Sequence, residues 1–220
     1  EMTASENNIA IIPAIAMFDH ELFTAVLQDP ENLERHINAI LAEVNNNNYA
    51  GIDLDYEATK LADKEQYFQL LSRLSEQLEQ KGKKLVVTVI SKWGDDVVYP
   101  SLPETRQVQD WTRIGALADE VRIMAYDYTY AKSYFPGPIA PLSWMQDILE
   151  YALTKLPPEK IILGIHMYSY EWSLDNSDNQ LDFIIDYLAN KQSAKSARSF
   201  EYQTVKKIIR DNQGNASSYE

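Results

Sequence analysis

Strands alternating with helices predict an α/β fold built on a parallel sheet. Two observations carry that reading. Five short apolar runs, near residues 9, 51, 84, 120 and 160, are separated by segments whose apolar residues recur at helical spacing. Two of those runs end in carboxylates, Glu57 and Asp127, at the strand ends where parallel α/β sheets gather their chemistry. Right-handed crossovers leave two architectures open at this level, a doubly wound sheet and a (β/α)₈ barrel.

The elements follow in order. Residues 9–17 are apolar and nearly continuous, which predicts a buried strand. Asp29-Pro30 supplies an N-cap and a first-turn proline, and Leu33, Ile37, Ile40, Leu41 and Val44 repeat behind it as a helix. Asn45 to Asn48 break the chain before the run 51–57. A second helix carries Tyr67, Leu70, Leu71, Leu74 and Leu78 on one stripe and stops at Gly82. Residues 84–90 predict a strand, 111–117 a helix and 120–127 another strand. Ser143 is placed as the N-cap of a helix carrying Trp144, Ile148, Leu149, Ala152 and Leu153. Pro157-Pro158 ends it ahead of a fifth strand over 160–165. Beyond that a helix is expected around 181–188, a polar linker over 190–199 and a helix over 200–210.

Composition bounds the function. A chain of 220 residues, 45% hydrophobic and 24% charged, suits one globular domain with a substantial core. A net charge of −13 argues against nucleic acid or an anionic membrane as partner, since both ask for a basic surface. Zero cysteines exclude disulfides and thiolate metal sites and leave the redox compartment open. No apolar stretch approaches the roughly 20 residues of a membrane helix, and no signal peptide is visible. The chain opens at Glu1 without an initiator Met, which points to a processed or trimmed product whose export signal would lie upstream.

The run Gly51-Ile52-Asp53-Leu54-Asp55-Tyr56-Glu57 is the chemical centre of the sequence. On a strand, alternate side chains share a face, so Asp53, Asp55 and Glu57 line up with Ile52, Leu54 and Tyr56 opposite. Repulsion and desolvation among three such acids raise at least one pKa, which keeps a carboxylic acid protonated near neutral pH. Three other readings compete. An edge strand can alternate charges for solubility alone. A calcium loop of the EF-hand type wants glycine at its sixth position, where Ala58 stands. A magnesium phosphotransferase of the haloacid dehalogenase type fits Asp53-Leu54-Asp55, but wants Thr or Val where Glu57 stands and belongs on a first strand.

The acidic strand resembles the D-G-x-D-x-D-x-E signature of glycoside hydrolase family 18, the chitinase-like family. Gly51, Asp53, Asp55 and Glu57 match it, and Ala50 replaces the leading Asp. Met124-Ala125-Tyr126-Asp127-Tyr128 is similar to the family's M-x-Y-D strand. Leu163-Gly164-Ile165-His166-Met167-Tyr168, followed by Trp172, is similar to its L-G-x-P-x-Y strand, with His166 in place of Pro. Pro136 to Pro141 and Val89-Ile90-Ser91-Lys92 resemble the subgroup of bacterial spore-cortex and cell-wall N-acetylglucosaminidases. The resemblance implies a (β/α)₈ TIM barrel, here a partial one covering about strands three to seven. It also implies a fragment of a larger catalytic domain, or strands supplied from elsewhere. Residues 1–189 would be the partial barrel, and 190–220 a linker and helix opening an insertion or the remaining barrel.

The roles implied are these. Glu57 is the general acid and then the base of a retaining, substrate-assisted reaction, in which the substrate's 2-acetamido carbonyl attacks the anomeric carbon. Asp55 orients the acetamido nitrogen, and Asp53 shares a proton with Asp55 and helps set Glu57. Tyr126 donates to the acetamido oxygen and Asp127 positions the sugar. Tyr128, Tyr130, Tyr134, Tyr168 and Trp172 are candidates for sugar stacking, with Tyr128 and Trp172 singled out as substrate-binding residues. No metal and no cofactor are implied. The partner is a polysaccharide or oligosaccharide containing N-acetylglucosamine, peptidoglycan favoured over chitin, and the setting is extracellular or associated with cell wall or spore. A catalytically inactive carbohydrate-binding relative is the alternative. Each residue also has a structural reading: Tyr126 as a core aromatic, His166 as a structural strand residue, and Asn215-Ala216-Ser217 as a chance match to a glycosylation sequon.

Overall fold

The computed structural model describes residues 4, 7–99, 101–133, 136–172, 198–201, 203, 204, 207 and 210. The chain divides into two compact units, one formed by Glu1–Met124 and Ile148–Leu163, the other by Ala125–Asp147 and Gly164–Glu220.

A five-stranded sheet organises the first unit: β1 (Ala14–Met17), β2 (Gly51–Tyr56), β3 (Lys84–Ile90), β4 (Glu120–Met124) and β5 (Ile161–Gly164), in spatial order β1-β2-β3-β4-β5. The pairs β1–β2, β2–β3 and β3–β4 are parallel. Strand order that follows chain order, with no reversal, is what a barrel requires and a doubly wound sheet lacks. The architecture is a partial (β/α) barrel, which settles the choice the sequence left open.

The helices α1 (His20–Gln28), α2 (Pro30–Asn46) and α3 (Lys64–Glu79) pack among themselves and against the sheet. On α2, the predicted cap stands as expected: the Asp29 carboxylate accepts from the N–H groups of Glu31 and Asn32, and Leu33, Ile37, Ile40, Leu41 and Val44 are all buried. On α3, the predicted stripe is buried together with Phe68, and Gly82 follows at φ +64°, the left-handed turn a helix stop favours. Helix α1 is absent from the sequence reading, although Asp19 caps it by accepting from Glu21 and Leu22, and Phe23 and Leu27 bury one face at i, i+4 spacing. Helix α4 (Pro103–Val108) was likewise not anticipated, whereas α5 (Trp111–Leu117) lies where expected.

Strand bounds depart from the apolar runs in two places. β1 begins only at Ala14, because Pro13 has no N–H to give the ladder. Ahead of it Ile11 and Pro13 accept from the β2 side, with Ala50 N–H donating to Ile11 O at 2.8 Å and Asp53 N–H to Pro13 O at 2.9 Å. Nor is β1 buried as predicted: it ends the strand order, and Ala14 and Ala16 are exposed. β4 stops at Met124 rather than running to residue 127, since Asp127 takes φ +62° and cannot continue a strand.

Helix α6 (Leu142–Lys155) already contains Ser143, which is therefore not its N-cap. Trp144, Ile148 and Ala152 are buried as predicted, while Leu149 and Leu153 are exposed. In the second unit, β6 (Tyr168–Glu171) pairs antiparallel with β7 (Arg198–Glu201). Residues 198–201 are thus a strand, where linker and helix were expected; 203, 204, 207 and 210 are helical. The predicted helix over 181–188, the linker over 190–197, Tyr134 and the sequon at 215–217 lie outside the described residues. Among the described residues no helix is long and apolar enough to cross a membrane.

Candidate active site

Asp53 and Asp55 lie on β2, and Glu57 follows one residue beyond its end. Ile52, Leu54 and Tyr56 occupy the opposite face and are fully buried. Register builds the acidic face. Asp55 stands opposite Ala16 on β1 and Thr88 on β3, and Thr88 opposite Arg122 on β4. In-register neighbours share a face of the sheet, so a cation and a hydroxyl stand beside the acids, and methyl groups stand on their other side.

Asp53 is the deep member of the row, only 2% exposed. Thr88 Oγ1 lies 2.9 and 3.1 Å from its two carboxylate oxygens, and Arg122 Nη1 donates to Oδ2 at 2.8 Å. Burial pushes the Asp53 carboxyl above its ordinary range, while the Thr88 and Arg122 donors pull it back. Asp55 is half-buried, and its Oδ1 has no hydrogen-bond partner among the described residues. Burial raises Asp55 too, and the charge of Asp53 adds to the rise.

Glu57 is half-buried and its backbone is tied on both sides. Its N–H donates to Met17 O on β1 at 3.0 Å, and its carbonyl accepts from Thr105 Oγ1 on α4 at 2.9 Å. Thr105 is itself 1% exposed and also reaches Thr59 O. The buried Arg106 guanidinium beside it loses basicity to burial, and the Tyr99 and Glu57 charges partly restore it.

The remaining predicted residues belong to the second unit. Tyr126 and Asp127 follow β4 as loop rather than strand, and Tyr128 N–H donates to Ile139 O at 2.8 Å. Asp127 Oδ1 accepts from Tyr168 Oη at 2.6 Å and Tyr170 Oη at 3.1 Å. Burial, followed by the Asp127 contact, pushes both phenols upward. Rings of Tyr126 and Tyr168 meet edge to face at 6.3 Å, and Tyr168, Tyr170 and Trp172 continue edge to face at 5.5 and 5.7 Å. Tyr128 is 54% exposed beside Trp144, Tyr130 is exposed, and Trp172 keeps its Nε1 buried without a partner among the described residues. His166 sits after β5, not within it, with its ring 5.9 Å from that of Tyr168.

Thr88, Arg122, Thr105 and Tyr170 were missed in the sequence. For the first two the signal is weak: each is a polar residue in a largely apolar strand, though β3 also carries Lys84 and β4 Glu120. Thr105 gave none, because its partners are backbone carbonyls 46 and 48 residues away. A cavity of about 720 Å³ in the first unit has none of the three acids in its wall. Its buried amine, Lys92, already donates to Arg106 O and Gln109 O and lies over the Trp111 ring. Among the described residues no group of three His, Cys, Asp or Glu side chains is arranged to hold a metal ion.

YdhD of Bacillus subtilis, whose name describes a sporulation-specific glycosylase, is 30% identical over 155 residues, covering 70% of this chain and 35% of YdhD. The cortical fragment-lytic enzyme of the same organism is 26% identical over 162 residues, 71% of this chain and 35% of that protein. The chain thus spans about a third of the length of these two relatives. The crystal structure of YdhD superposes with a TM-score of 0.83 at 25% identity, covering 99% of this chain and 67% of that one. That of the Bacillus megaterium spore cortex-lytic enzyme SleL superposes at 0.79 and 23% identity, over 100% and 47%. The family model described as glycosyl hydrolases family 18 matches residues 1–220, and the chain belongs to that family.

Proposed function

We propose that this chain carries the acid–base centre of a retaining glycosidase acting on glycans that contain N-acetylglucosamine, with bacterial peptidoglycan as the favoured substrate. The observation that carries the reading is the row on β2: a buried Asp53 held by Thr88 and Arg122, then Asp55 with an unsatisfied buried oxygen, then Glu57 at the strand's C-terminal end. A buried carboxylate oxygen left without a donor, as Asp55 Oδ1 is among the described residues, is costly in a sheet, and beside two further acids it suits proton handling better than stability. In the substrate-assisted scheme Glu57 protonates the leaving oxygen and later activates water. Asp55 meets the acetamido nitrogen, Tyr126 the acetamido oxygen and Asp127 the sugar, with Tyr128 and Trp172 as stacking surfaces. The relatives named for spore-cortex lysis support peptidoglycan and a wall or spore setting.

The test is turnover of peptidoglycan fragments and chitooligosaccharides by the full-length protein that contains this chain, beside its Glu57→Gln variant. Loss of about 10²–10⁴ in rate is expected from removing the acid. Equal turnover in the two proteins rules out Glu57, and sugar binding without product from either marks a carbohydrate-binding protein instead.

A further inference from the structure

We propose that Arg122 is a positioning residue that breaks the symmetry of the Asp53–Asp55 pair: its guanidinium, 2.8 Å from Asp53 Oδ2, fixes the deep carboxylate as the anion and leaves the pair's proton to Asp55. Two carboxyl groups that share one proton do so evenly only when their surroundings match. Here they do not. Asp53 receives a charged donor on one oxygen and the single Thr88 hydroxyl proton between both, the donors that an ionised carboxylate wants and a neutral one wastes. Asp55 receives none on Oδ1, so ionising it places charge on a buried oxygen with nothing to answer it.

Among the described residues the neighbouring strands supply no competing charge. β1 presents Ala14 and Ala16 beside the two acids, and β3 presents Val86 and Thr88. β4 presents Arg122 and, one step back along the strand, Glu120, which is engaged by Lys84 at 2.6 Å. From α3, the fully buried Tyr67 phenol is raised by burial, with the charges of Tyr56 and Asp55 adding to it; a neutral Asp55 relieves that contact as well. Burial raises both carboxyls, and beyond that the Thr88 and Arg122 donors pull Asp53 partly back while the Asp53 charge adds to the rise of Asp55. The proton therefore waits two positions from Glu57 rather than four. That last consequence rests on the glycosidase reading above; the charge state of the pair does not.

Carboxyl-carbon NMR titration of the whole chain, labelled at aspartate and assigned with Asp53→Asn and Asp55→Asn, reads the order directly and needs no turnover. In the wild type Asp53 is expected to titrate first and Asp55 second. Arg122→Met should bring the Asp53 midpoint up to or past that of Asp55, and Arg122→Lys should restore the wild-type order. An unchanged order in a folded Arg122→Met protein, or Asp55 titrating first in the wild type, overturns the proposal. Should Arg122→Met fail to fold, Thr88→Val carries the test: with Arg122 still in place Asp53 must stay first, and reversal there refutes the assignment to Arg122. Inactivity of the full-length enzyme would count against the glycosidase reading and leave this titration order standing or falling by itself.

Discussion

Replacing Gly51 with alanine tests how tightly β2 is set against β3. A Cβ at position 51 would lie 2.2 Å from Lys84 O, 2.9 Å from Lys84 C and 2.9 Å from Lys84 Cβ. The nearest atoms are backbone, in register with Gly51 and bound to the neighbouring residue by the Lys84 N–H to Ala50 O bond of 2.9 Å. No side-chain rotation relieves the overlap, so the two strands must part by about an ångström where the acidic run begins. Overpacking of this kind costs about 1–3 kcal/mol, and the gain from stiffening the unfolded chain, about 0.4–1 kcal/mol for Gly→Ala, offsets only part of it. At roughly 2–4 °C per kcal/mol for a chain of this size, the melting temperature should fall by several degrees, to about 10 °C at most. The assay is thermal unfolding by circular dichroism, with Gly82→Ala as the contrast. There a Cβ meets nothing within 4 Å and only the φ of +64° is strained, for roughly 1–2 kcal/mol. A Gly51→Ala protein as stable as the wild type would show that the close approach of these strands is not what the residue is there for.

Two further perturbations act on the row itself. Asp55→Asn should stabilise the chain by about 0.5–2 kcal/mol, as relief of a functional strain commonly does. Because burial and the Asp53 charge raise the folded Asp55 carboxyl above its unfolded value, that group's contribution is present at low pH and lost as pH rises through the folded value. The advantage of Asn should therefore grow with pH and vanish in acid; urea unfolding that shows a constant gap from about pH 3 to pH 8 contradicts it. Thr105→Val keeps the side-chain shape but removes the donor to the part-buried Glu57 O at 2.9 Å, a loss of about 1–3 kcal/mol. Urea unfolding should show that loss, and Thr105→Ser should recover most of it.

What was legible in the chain was whatever its periodicity encodes. The stripes on α2 and α3 bury as predicted because a 3.6-residue repeat has one way to hide its apolar face. Asp53 and Asp55 share a face because a strand alternates. Three misses have separate physical causes. Helix α1 hides its signal in nine residues, where the pair Phe23 and Leu27 is too short a repeat to stand out. The apolar runs overextend β1 and β4: apolar character outweighs the missing N–H of Pro13, which the sequence does show, and the positive φ of Asp127 is invisible in it. Arg122 and Thr88 became partners of Asp53 only through register between strands 35 and 69 residues apart, and register is a tertiary property that one sequence does not print.

β2 and the residue that follows it tolerate three acids in seven residues because the strand's two faces do different jobs. On the outer face Ile52, Leu54 and Tyr56 are wholly buried, with the Tyr56 ring 4.9 Å from Phe23 and its hydroxyl 2.7 Å from His36 Nε2. Burial of an aliphatic or aromatic side chain stabilises by about 1.5–3 kcal/mol, so those three residues offset several kcal/mol of cost on the inner face. That cost is itself graded. Asp53, deepest, has donors on both oxygens; Asp55 lacks one; Glu57 has left the strand, held through its backbone by Met17 and Thr105. Solvation thus increases from Asp53 to the half-buried Asp55 and Glu57 toward the strand's C-terminal end, where a substrate of a (β/α) barrel arrives. A strand stabilised from one side can hold a partly unsatisfied carboxyl on the other without unfolding. The arrangement would not survive a one-residue slip, which exchanges the faces and buries the acids among α1, α2 and α3.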